Sequence, residues 1–138
     1  MKNLKIVLDT NTILSALCFP QSIVRQAFNK ATIEHQIVAS EATWAELTEV
    51  INRPKFDKYI PKIQRVAFIE TVKQKAIFYE ITETITDCRD PKDNKFLELA
   101  VAADAEFILT GDLDLLIINP FRTIHILKSG DFLALELS

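Results

Sequence analysis

The sequence predicts an α/β fold in which a parallel sheet is covered by helices on both faces. Three observations carry that prediction. Short apolar, β-branched runs recur along the chain, and segments with apolar residues at helical spacing lie between them. The first run stops abruptly at Asp9-Thr10-Asn11-Thr12, as a buried central strand does when it ends at a turn. Alternation of strand and helix then favours right-handed crossovers and a sheet buried on both sides.

In chain order, residues 4–8 form the first apolar run. Ile13, Leu14 and Leu17 give a short helix before Pro20, and Ile23, Val24, Ala27 and Phe28 give a second. A strand over 36–39 leads to Ser40, which suits the N-cap of a helix over roughly 41–52. Pro61 opens a helix bearing Ile63, Val66, Ala67, Ile69 and Val72, followed by a strand near 78–81. Asp90-Pro91-Lys92-Asp93 is the strongest helix start: Asp90 caps, Pro91 fits the first helical position, and Asp93 faces the positive end of the dipole. Phe96, Leu97, Ala100, Val101 and Ala103 form its buried stripe, and runs at 107–110 and 123–127 complete the strands.

A chain of 138 residues, 49% apolar and 25% charged with only two glycines, is expected to form one domain over 1–138 with its own core. The N-terminal apolar run is too short for a signal peptide, and no run reaches transmembrane length, so no membrane association is expected. Cys18 and Cys88 stand 70 positions apart, which suggests neither a zinc site nor a disulfide framework and points to the cytoplasm. The net charge of −3 argues weakly against nucleic acid, but its distribution is uneven. Residues 53–75 hold seven bases (Arg53, Lys55, Lys58, Lys62, Arg65, Lys73, Lys75) against Asp57 and Glu70, a local +5. The remainder, with 9 bases and 17 acids, carries −8.

Ligands of an open α/β sheet gather beyond the C-terminal strand ends, where strand order reverses. Asp9 follows the first strand, and Asp112 follows the strand at 107–110 after Gly111, with Asp114 close behind. Asp93 and Glu46 both lie on helical stripes shared with apolar residues rather than on polar faces. Each acid alone has a simpler role. Asp9 and Asp90 suit caps, Asp112 and Asp114 an Asx turn, and Glu46 an exposed position whose stem borders the core. His35 and His125 read as structural. Together, however, carboxylates about 4 Å apart repel by roughly 4 kcal/mol at an effective dielectric near 20, a cost that a bound cation removes. Oxygen-only ligands favour Mg²⁺ or Mn²⁺, which can activate water for in-line attack on phosphorus.

Five blocks in order resemble the PIN-domain family, and within it the VapC-like toxins of toxin–antitoxin pairs. They are Val7-Leu8-Asp9-Thr10-Asn11-Thr12-Ile13-Leu14-Ser15-Ala16, Trp44-Ala45-Glu46-Leu47, Asn52-Arg53-Pro54-Lys55-Phe56, the segment from Arg89 through Asp93 to Ala100, and Leu109-Thr110-Gly111-Asp112-Leu113-Asp114-Leu115-Leu116. The resemblance implies a three-layer α/β/α sandwich with a five-stranded parallel sheet and an endoribonuclease using Mg²⁺ or Mn²⁺. It places the family's four acids on Asp9, Glu46, Asp93 and Asp112, as catalytic and metal-binding residues. Asn11, Thr110, Asp90 and Asp114 would support them. It further implies self-association, as a dimer, and a cognate antitoxin. The basic stretch, with Arg53, Lys55, Lys58 and Lys62 beside Phe56 and Tyr59, would then bind single-stranded RNA through backbone charge and base stacking.

Two other readings share part of this pattern. Asp9-Thr10-Asn11-Thr12 and Gly111-Asp112-Leu113-Asp114 also resemble motifs of haloacid-dehalogenase phosphatases, although those carry a second Asp where Asn11 stands. A catalytically inactive RNA- or protein-binding module retaining the acids is the third.

Overall fold

A computed structural model describes residues 3–135; Met1 and Lys2, within the N-terminal stretch too short for a signal peptide, lie outside the described residues. Five parallel strands, β1 (Lys5–Leu8), β2 (Gln36–Ala39), β3 (Ile77–Phe78), β4 (Phe107–Leu109) and β5 (His125–Leu127), make one sheet in the order β3-β2-β1-β4-β5. Val7 sits at its centre, paired with Val38 on one side and Ile108 on the other.

The helices are α1 (Thr10–Cys18), α2 (Ile23–Glu34), α3 (Glu41–Ile51), α4 (Lys62–Lys75), α5 (Asn94–Ala103), α6 (Leu113–Leu116) and α7 (Ser129–Ala134). Strand side chains alternate between faces, so each strand feeds two cores. Ile6, Leu8, Phe107 and Leu109 join α1 to α4 and Phe132 of α7 on one face. Val7, Ile108 and Ile126 join Phe96, Leu97 and Ala100 of α5 and Leu115 of α6 on the other. The result is the three-layer α/β/α sandwich.

Local chemistry sets the element ends. Ser22 caps α2 through Arg25 N–H, and Ser40 caps α3 in a reciprocal capping box with Thr43. The first strand starts at Lys5 because the Leu4 amide turns aside to His35 Nδ1, at 3.1 Å, which gives buried His35 its structural role. The third strand is earlier and shorter than its apolar run: Ile77 and Phe78 pair with Val38 and Ala39, and Tyr79 N–H makes the last bond, to Ala39 O at 2.9 Å. The fifth begins late because Phe121 and Ile124 exchange backbone bonds around Arg122, whose φ is 54°. Pro91–Asp93 is a 3-10 turn rather than the first turn of the α-helix, which starts at Asn94. Helices α6 and α7 are additional to the expected elements; at four and six residues they are too short for a helical period to show.

Candidate active site

Strands β1 and β4 are neighbours whose own next neighbours lead to opposite edges, so the switch point of the sheet lies between their C-terminal ends. Asp9 is the first residue past β1 and the N-cap of α1. Its Oδ1 accepts from Thr12 N–H at 2.8 Å, and its Oδ2 accepts from the Thr110 hydroxyl. Thr110, the first residue past β4, also accepts the Asp112 N–H at 2.9 Å. One buried hydroxyl therefore links the two acids the sequence singled out across the crevice. The Thr12 hydroxyl and the Asp9 amide both donate to Leu109 O, at 3.3 Å each, which clamps the start of α1 to β4.

Burial pushes the Asp9 carboxyl up from the ordinary range, and the nearby charge of Asp112 adds to this, while the bonds from Thr110 and Thr12 work against it. Asp9 is both the helix cap and a member of the acid cluster, two roles that sequence alone opposed to one another.

Asp93 arrives from the opposite layer, at the junction of the 3-10 turn and α5, with no capping bond from its side chain. Burial, a hydrogen bond shared with Asp112 and the charges of Asp112, Asp90 and Asp9 raise its carboxyl to about 7. Its Oδ2 is buried and has no hydrogen-bond partner among the described residues. Asp90 caps the turn through Lys92 N–H at 3.1 Å. Asp112 caps α6, its Oδ1 accepting from Asp114 N–H at 2.8 Å, and Asp114 pairs with Arg89 at 2.9 Å. Asn11, on the first turn of α1, is exposed.

Glu46 forms an ion pair with Lys95, joining α3 to α5 at the edge of the cluster. Among the described residues, no group of three His, Cys, Asp or Glu side chains is arranged to ligate a metal ion directly. The donor set nevertheless fits a hard cation that keeps part of its water: oxygen donors only, a buried Asp93 oxygen without a partner among the described residues, and a carboxyl that burial and the neighbouring acids keep protonated to about pH 7.

The basic stretch divides. Arg65 is buried and fixes the loop before α4, donating to Ile60 O at 2.8 Å and to Asp57 at 2.6 Å. Arg53 is held by Glu49 at 2.9 Å. Lys55, Lys58 and Lys62 have no ion pair among the described residues, and Lys55 and Lys58 lie over the rings of Phe56 and Tyr59. Those two rings, with Leu14, Cys18, Phe19 and Ile60, line a groove of about 490 Å³ beside α1.

Comparison with known proteins decides the family, since a PIN-domain model matches residues 5–114. The chain belongs to the PIN-domain family. That match contains Asp9, Glu46, Asp90, Asp93, Asp112 and Asp114, and it sets aside the phosphatase alternative. A relative, the protein MJ1680 of Methanocaldococcus jannaschii, is 32% identical over 116 residues, covering 82% of this chain and 74% of its own length. The PIN fold here also resembles a chain of VapBC2 from Rickettsia felis, in a crystal structure with a DNA fragment from their promoter. The TM-score is 0.59 at 13% identity, over 89% of this chain and 97% of that one. PAE2754 from Pyrobaculum aerophilum matches with a TM-score of 0.62 at 11% identity, over 94% and 88% of the two chains. VapBC-1 from nontypeable Haemophilus influenzae matches with 0.59 at 15%, over 91% and 98%.

Four residues around this cluster lie in the motif blocks, yet nothing in the sequence assigned them a role of their own. Thr12 supplies the capping amide for Asp9 and the bond to Leu109. Asn94 accepts from Cys88 N–H at 2.9 Å and holds the loop leading into Asp93. Lys95 balances Glu46, and Arg89 balances Asp114. Asn94 and Lys95 directly follow Asp93, and Thr12 sits at the capping distance from Asp9, so adjacency to the acids was the available signal.

Proposed function

We propose that the protein is a metal-dependent endoribonuclease that hydrolyses single-stranded RNA and acts as the toxin of a toxin–antitoxin pair. The observation that carries this reading is the half-buried carboxyl group of Asp93, set beside Asp112 and Asp9 at the switch point with a proton retained to about pH 7 and one buried oxygen unpartnered among the described residues. Asp9, Asp93 and Asp112 would hold Mg²⁺ or Mn²⁺ directly or through water, and Glu46 would act through water from its pair with Lys95. A bound cation would supply an activated water and charge neutralisation at phosphorus.

The chain's own residues do the rest. Thr110 and Thr12 keep the Asp9 carboxylate fixed to the sheet. Asp93 would release its proton on becoming a ligand, so metal affinity would rise with pH. Lys55, Lys58 and Lys62 attract the RNA backbone, and Phe56 and Tyr59 stack on an unpaired base. A cognate antitoxin would neutralise the enzyme by seating an apolar segment in the 490 Å³ groove that carries those rings, in competition with RNA. Self-association as a dimer and a cytoplasmic location complete the reading. No helix among the described residues is long and apolar enough to cross a membrane.

Purified protein incubated with end-labelled single-stranded RNA tests this. Cleavage in Mg²⁺ or Mn²⁺ that stops in EDTA and leaves 5′-phosphate ends is the expected result. Cleavage unaffected by EDTA, a phosphoenzyme on Asp9, or RNA binding without turnover would reject it, the last in favour of the inactive binding module.

A further inference from the structure

Gly111 and Gly130 are the chain's two glycines, and the fold requires neither. Neither has a positive φ. A Cβ on Gly111 would meet nothing within 4 Å, and one on Gly130 would touch only Ile23 Cγ2, at an ordinary 3.8 Å. Gly130 even lies inside α7, where alanine would be the better helix former. Yet both glycines border the same recess of about 300 Å³, which also takes in Thr110, the residue that joins Asp9 to Asp112. Its far wall, at Lys128, Ser129 and Gly130, lies beyond the stretch matched by the family model.

The charge of this recess is opposite to that of its neighbour. Lys128, exposed at the rim, is the sole charged residue lining it among the described residues, whereas the adjoining cluster is built from carboxylates. Ser15, half-buried, and Asn11 line it with side-chain donors and acceptors. Ser15 lines the groove with Phe56 and Tyr59 as well, so the two hollows follow one another along α1.

We propose that this recess is the subsite for the ribose–phosphate unit adjoining the bond to be cut. Lys128 contacts the backbone phosphate, Asn11 and Ser15 face the ribose hydroxyl, and the bare main chain at Gly111 and Gly130 lets the sugar lie close. The proposal rests on the ribonuclease reading above. An RNA strand is favoured over a peptide because the hollow pairs a single cation with hydroxyl and amide groups, immediately beside the acids. From there the strand runs along α1 to the aromatic rings.

The test uses the full-length protein with Mg²⁺ and a short single-stranded RNA of mixed sequence. Gly130→Leu fills the recess from a helical position, and Lys128→Gln removes the charge from an exposed side chain that makes no capping bond to α7. Both variants are expected to melt within a few degrees of wild type, with KM raised roughly tenfold and kcat nearly unchanged, as for weakened ground-state binding. Lys128→Gln should also lower the slope of log affinity against log salt by about one. If wild type cleaves RNA and Lys128→Gln keeps its KM and salt slope, the subsite is refuted while the ribonuclease reading stands. A Gly130→Leu variant that is folded and equally active refutes the subsite in the same way, and a recess that instead accepts a peptide would give that result. If wild type does not cleave RNA at all, the ribonuclease reading fails, and the subsite with it.

Discussion

Replacing Asp93 by Asn should stabilise the metal-free protein at neutral pH while abolishing cleavage. In the folded chain Asp93 keeps its proton up to about pH 7, against an ordinary value of 3.8. Between those values the unfolded chain binds fewer protons than the native one, so this group's contribution to stability falls as pH rises from 4 to 7. The full shift corresponds to about 4 kcal/mol, and because Asp93 is only half-buried, solvent screening reduces it to about 1–2 kcal/mol. Asn carries no charge, and its amide can donate to Asp112, so the variant escapes that loss. For a chain of this size the gain is a melting temperature higher by about 3–8 °C at pH 7.5 in EDTA. By pH 4 most of the difference should vanish. Mg²⁺ at a hundred times its Kd should stabilise wild type by about 2.7 kcal/mol and the variant much less. Thermal melts at the two pH values, with EDTA and with Mg²⁺, read all of this. A variant that melts at or below wild type at pH 7.5 in EDTA, or a gap that persists unchanged at pH 4, would refute the argument that Asp93 is held against like charge.

Four further outcomes follow from the same geometry. Asp9→Asn keeps the acceptor for Thr12 N–H and should melt near wild type but not cleave, whereas Asp9→Ala loses the cap and should cost about 1–2 kcal/mol by chemical denaturation. Arg65→Ala should cost about 2–3 kcal/mol, because its buried guanidinium ties Ile60 to Asp57; replacing Lys55, Lys58 and Lys62 together by Gln should leave stability unchanged and weaken RNA binding, with a salt slope reduced by about one for each phosphate no longer neutralised, measured by titration at several salt concentrations. At metal concentrations below saturation, the cleavage rate should climb as pH rises through 7, since Asp93 must shed its proton to ligate; at saturating metal the rise should move to lower pH, and a profile insensitive to metal would contradict the coupling.

How much of this was legible in the sequence depended on the range of each interaction. Strands β1, β2 and β4 were readable because burial on both faces writes a continuous apolar run, and α3 because Ser40 and its stripe agree. The late start of β5 and the short β3 depend on partners far along the chain, the Phe121–Ile124 bridge and the edge of β2, which no local pattern encodes. At the site, spacing placed Asp9 and Asp112 at strand ends, but the hydroxyl of Thr110 that joins them spans 101 positions. The basic stretch was readable as charge only. That Arg65 turns inward and Arg53 is occupied by Glu49, while Lys55, Lys58 and Lys62 have no such pair, is decided by packing.

The cluster's asymmetry says where its cost is carried. Asp9 and Asp112 are tied to the sheet by Thr12 and Thr110, and each caps a helix, so folding itself fixes their positions. Asp93 has no such anchor: it stands between a three-residue 3-10 turn and α5, positioned by Asp90 capping that turn and by Asn94 gripping Cys88. Burial and repulsion raise both Asp9, which folding holds fixed, and Asp93, whose backbone support is a short turn and where they are expressed as a proton retained to about pH 7. On the proposed reading, a bound cation would offset that repulsion and Asp93 would be the ligand most dependent on the turn that carries it. Weakening the turn, as at Asp90 or Asn94, should accordingly lower metal affinity before it lowers the stability of the sheet.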